Sequence, residues 1–105
     1  MSDSLRRKNL LAAHSAALHL QVVSPVPPSS VTVTCHTFSP SEPSVDVNFH
    51  MDRDGVERLA EALGVEATTR PHSKTDPQLY TVATAEVAGI PVRIWTLVDA
   101  PEVSA

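Results

Sequence analysis

One cysteine, three glycines and four aromatic residues are all that 105 positions hold of these types, and each shortage removes a class of explanation. A lone Cys35 excludes an intramolecular disulfide framework and fits a reducing compartment. Glycines only at 55, 64 and 89 leave no Gly-rich loop to cradle phosphates, and no serine occupies a strand-to-helix nucleophile elbow. With Phe38, Phe49, Tyr80 and Trp95 as the only large rings, the core has to be built from Val, Leu, Ile and Ala, which leaves little room for a deep aromatic pocket. No run approaches the ~18 consecutive apolar residues of a membrane helix. The basic Leu5-Arg6-Arg7-Lys8 is followed by an apolar stretch that His14, Ser15 and His19 interrupt, with no cleavage site before the prolines, which argues against a secretory signal. The expected setting is the cytoplasm, without membrane association.

Charge of either sign is scarce, and it is unevenly placed. Residues 1–23 carry Arg6, Arg7 and Lys8 against Asp3, and residues 24–40 carry none. Residues 42–66 hold seven acids against Arg53 and Arg58, which dominates the net charge of -4. A basic arm and an acidic middle make nucleic acid an unexpected partner, because non-specific binding grows with the number of phosphates neutralised. They suit a protein partner, or the arm of one copy against the acidic part of a second.

The chain is long enough for one domain, residues 1–105, and too short for two. Asp3 or Ser4 caps a first helix over 4–18, with Leu10, Ala13, Ala17 and Leu20 on its apolar stripe and Leu11 and Leu18 beside it. Three basic residues in its first turn oppose the helix dipole. From Leu18 the text His-Leu-Gln-Val-Val also reads as a short strand. Residues 24–30 contain Pro25, Pro27 and Pro28, a stiff spacer without regular structure.

Alternation over Val31 to Phe38 predicts a half-buried strand, residues 39–43 a turn, and Val45, Val47 and Phe49 the inward side of a second strand paired with the first. Asp52 then caps a helix whose Val56, Leu59, Ala60 and Leu63 fall at i, i+3, i+4 and i+7, ended by Gly64. Val65, Ala67 and Thr69 start a third strand, and residues 71–78 form a loop.

The last third is the most legible. Leu79 to Val87 and Ile90 to Val98 are alternating runs of equal length joined by Ala88-Gly89, and glycine supplies the positive φ that a tight hairpin requires. The implied register sets Val87 opposite Ile90, Ala85 opposite Val92, Ala83 opposite Ile94 and Leu79 opposite Val98 on one face. Glu86 then faces Pro91, Thr84 faces Arg93, Val82 faces Trp95 and Tyr80 faces Leu97 on the other. The expected fold is α+β in two layers: an antiparallel or mixed sheet of about five strands with one or two helices, in the order αββαβββ.

Three constellations bear on function. His50, Asp52 and Asp54 bring an imidazole and two carboxylates to a strand-to-helix junction, a donor set suited to a divalent cation. A helix cap and a dipole partner explain the same two acids more simply, so no metal and no cofactor is expected. Cys35 and His36 are adjacent on a strand and point to opposite faces, so they cannot act as nucleophile and base. The cluster of Tyr80, Val82, Arg93, Trp95 and Leu97 either receives the first helix or lies uncovered as a contact surface.

The text from Arg53 to Gly64, rich in Ala, Val, Arg and Glu, resembles in compositional style the small proteins of high-GC actinobacteria and their phages. That resemblance implies an accessory role and assigns no residue. The functional expectation is a small non-enzymatic binding or accessory protein acting through protein contacts at Tyr80, Val82, Arg93, Trp95 and Leu97, in one form a homodimer. The alternatives are a nucleic-acid-associated regulator using Arg6, Arg7 and Lys8, and a small metal-dependent enzyme at His50, Asp52 and Asp54.

Overall fold

A computed structural model describes residues 2–36, 41–75 and 78–99. Its elements are helix α1 (Ser2–Val23), strands β1 (Ser30–Thr34) and β2 (Ser44–Asn48), helix α2 (Arg53–Ala62), and strands β3 (Thr68–Pro71), β4 (Leu79–Val87) and β5 (Ile90–Val98). The five strands form one mixed sheet in the order β1-β2-β5-β4-β3, an α+β fold. β4 and β5 pair in the register expected, from Val87 with Ile90 to Leu79 with Val98. Ala88 and Gly89 both take positive φ, at 50° and 81°, the left-handed pair that matches the twist of a two-residue hairpin. β1 and β2 form the second antiparallel hairpin, Val31 opposite Val47 and Val33 opposite Val45.

The two hairpins are joined by a parallel pairing of β2 with β5, Val45 with Val92 through Asn48 with Trp95. Alternation then sorts the sheet into two faces. Val45 and Val47 of β2, Val92 and Ile94 of β5 and Ala83 of β4 are buried on one face, together with Ala13, Ala16, Ala17 and Leu20 of α1 and Val56, Leu59 and Ala60 of α2. Both helices therefore pack on the same side, α1 against β1, β2 and β5, and α2 against β4 and β5.

Local chemistry fixes the start of α2. The Asp52 carboxylate accepts from the amide of Gly55 at 2.9 Å, and the amide of Asp52 donates to the buried Thr96 hydroxyl at 3.1 Å, anchoring the cap to β5. Gly64, with φ of 72°, ends the helix as expected. Gly55 lies in the first turn because the Phe49 ring passes over it: a Cβ there would stand 2.5 Å from Phe49 Cδ1.

Several expectations are corrected. α1 runs from Ser2 to Val23 rather than over 4–18, so Asp3 and Ser4 lie inside its first turn instead of capping it, and residues 19–23 are helical and not a strand. It stops there because Pro25 offers no amide and biases Ser24 away from helical geometry. Leu11 and Leu18 are exposed, since the helix seats itself through its small residues Ala13, Ala16 and Ala17. β1 ends at Thr34 instead of Phe38, whose position lies outside the described residues along with 37–40. β3 begins at Thr68 and includes Arg70 and Pro71, which were expected partly in a loop. Val65 and Ala67 pack against the core before the strand begins.

Candidate binding surface

With both helices on one side, the second face of the sheet carries no helix among the described residues. It presents Thr32 of β1, Asp46 and Asn48 of β2, Arg93, Trp95 and Leu97 of β5, Tyr80, Val82 and Thr84 of β4, and Arg70 of β3, following the pairings that place them side by side. Trp95, Tyr80, Val82 and Leu97 are half-exposed. The first helix does not cover them, which resolves the alternative left open by the sequence. Four of the expected surface residues, Tyr80, Val82, Trp95 and Leu97, are thus contiguous on β4 and β5, with Arg93 at their border.

Asp46 organises the centre of this face. Its carboxylate accepts from the indole Nε1–H of Trp95 at 2.6 Å and from the Arg93 guanidinium at 2.7 and 3.3 Å. Those hydrogen bonds, chiefly, hold the Arg93 guanidinium above its ordinary range, against a smaller opposing effect of burial. The Arg93 guanidinium carbon also sits 5.4 Å from the Trp95 ring centroid. Tyr80 lies beside Trp95 with ring centroids 6.3 Å apart, and it receives Arg70 over its face at 5.4 Å and His72 at 6.1 Å. The result is a row running from Asp46 through Arg93, Trp95 and Tyr80 to Arg70 and His72, two adjacent rings each met by a guanidinium. Two shallow depressions flank it. One of about 400 Å³ is lined by Thr32, Ser44, Asp46 and Arg93, and one of about 440 Å³ by Arg70, His72, Tyr80 and Leu97.

Asp46, Arg70 and His72 were not anticipated as members. The sequence identifies Asp46 as water-facing, but only the parallel β2–β5 ladder brings it beside Trp95. The other constellations come apart. Asp52 is occupied by the Gly55 amide, Asp54 pairs with Arg58 at 2.9 Å, and His50 is exposed. Among the described residues no three His, Cys, Asp or Glu side chains converge as metal ligands. In the basic arm, Arg6 turns inward to donate to the Cys35 carbonyl at 2.8 Å, while Arg7 and Lys8 are exposed. The three cations therefore do not form one basic patch. Cys35 itself is buried, as its place among valines implied. Among the described residues no helix is long and apolar enough to cross a membrane.

No protein-family model matches the chain, and no curated protein is significantly similar to it.

Proposed function

We propose that the protein is a small non-enzymatic binding module, an accessory protein that works in the cytoplasm by docking a protein partner on the helix-free face of its sheet. One observation carries this reading: the only tryptophan lies on that face with its indole held by Asp46. An aromatic ring already fixed by a hydrogen bond loses little freedom when a partner covers it, which is how large anchors contribute most of an interface's affinity. Arg93, itself a favoured contact residue, is held in place by the same carboxylate.

Trp95→Ala tests the reading through two measurements made together. Binding to a partner isolated with the parent protein should fall by at least about tenfold, the effect of removing an anchor worth more than about 1.4 kcal/mol. Thermal stability should change much less than for a core ring. In the parent, emission of Trp95 should shift to the blue when the partner is added. Unchanged affinity in a folded Trp95→Ala protein would remove this face from the function.

A further inference from the structure

We infer that the outer edge of β1 is a pairing surface for a second copy of this chain, joined antiparallel about a two-fold axis at Thr32 to give one continuous ten-stranded sheet. The surface is the sheet edge beside the Trp95 cluster rather than the cluster itself, and the inference does not depend on the docking role proposed for that cluster.

The two ends of the sheet are built differently. β3, at one end, is short and exposed along its length, and it carries Arg70 and Pro71, a charge and a residue without an amide donor. Such features block the addition of a further strand. β1, at the other end, reads Ser30-Val31-Thr32-Val33-Thr34, with no charge, proline or glycine, and four of its residues are the β-branched Val and Thr that favour strand pairing. Among the described residues no strand lies on its outer side.

The strand is also complementary to itself. Centred on Thr32, antiparallel pairing sets Val31 opposite Val33 of the second copy and Ser30 opposite Thr34, so apolar side chains meet on the helix side and hydroxyls on the open side. Val31 and Val33 pack against the core yet are left half-exposed, whereas their partners Val47 and Val45 on β2 are 0% and 1% exposed. A second β1 would complete the burial of both. The symmetry closes the assembly at two copies, because each chain has one such edge and the other is blocked.

The test uses the fact that the two-fold places residue 32 opposite itself. Thr32 is exposed on the open face, so a charge there does not enter the core. In sedimentation velocity, the parent should be a dimer. Thr32→Lys and Thr32→Glu should each be monomers at the same concentration, because identical charges face each other. An equimolar mixture of the two should dimerise again. A parent that is monomeric at its highest soluble concentration overturns the inference, as does a dimer that both variants leave intact. Amide exchange in the parent gives a reading that needs no variant. Residues 30–34 should exchange more slowly as concentration rises, and concentration-independent exchange would equally overturn the pairing.

Discussion

The Trp95 indole and the Asp46 carboxylate are joined at 2.6 Å across the only ladder that connects the two hairpins. The same carboxylate binds Arg93, so one side chain fixes two neighbouring polar-tipped groups of the open face. Asp46→Ala should therefore free the indole while costing only about 1 kcal/mol, since the Arg93 pair is half-exposed and such pairs contribute little. Fluorescence anisotropy of Trp95 should fall while the urea midpoint moves slightly. An unchanged anisotropy would show that the ring is held by packing rather than by this bond.

Gly55→Ala should destabilise the protein even though alanine is the better helix former by about 1 kcal/mol. The added methyl meets the Phe49 ring at 2.5 Å and the Asp52 carboxylate at 2.7 Å, forcing both to shift, and overpacking of this kind costs ~1–3 kcal/mol. A rise in melting temperature would contradict the close approach.

Leu59→Ala empties a fully buried site beneath α2 and should cost ~2–5 kcal/mol. Chemical denaturation measures it directly, and a parent-like midpoint would mean that α2 is not packed on β4 and β5 as described.

Ala88→Asn should stabilise the hairpin by roughly 0.5 kcal/mol. Ala88 holds a positive φ of 50°, which asparagine tolerates better than alanine, and Asn-Gly is the favoured pair for this turn. A lower melting temperature would argue against the left-handed geometry at this position.

What the sequence revealed and what it concealed have physical reasons. Every β4–β5 pair was readable because a two-residue turn leaves no freedom in register and alternation does the rest. The Asp52 cap, the α2 stripe and Gly64 were equally local. The parallel β2–β5 ladder was not readable, since alternation records which side chains share a face and is silent about the neighbouring strand's direction. The side chosen by α1 was hidden for a different reason. Ala13, Ala17 and Leu20 are buried as their spacing implies, but Leu11, Leu18 and Val22 are exposed, so apolar residues lie nearly all round the helix and do not say which face of the sheet receives it. The aromatic cluster was recognised as a set, but its anchor Asp46 belongs to a strand roughly fifty positions away in sequence and became visible only with the topology.

The parallel β2–β5 ladder also sets the order in which the chain can fold. Each hairpin closes a short loop and can form early, whereas joining Val45 to Val92 requires nearly half the chain to be drawn in before any contact rewards the lost freedom. The Asp46–Trp95 bond, the Phe49 backbone amide on the Trp95 carbonyl at 3.1 Å and the Asn48 side-chain Nδ2 on the same carbonyl at 3.3 Å all lie on this seam. Substitutions there should speed unfolding and leave the refolding rate nearly unchanged, while Ala88→Asn should act mainly on refolding. The junction of Asp46 with Arg93 and Trp95 would then be the last part of the docking face to assemble and the first to come apart, so a partner bound across that seam would act as a kinetic clasp on the whole fold.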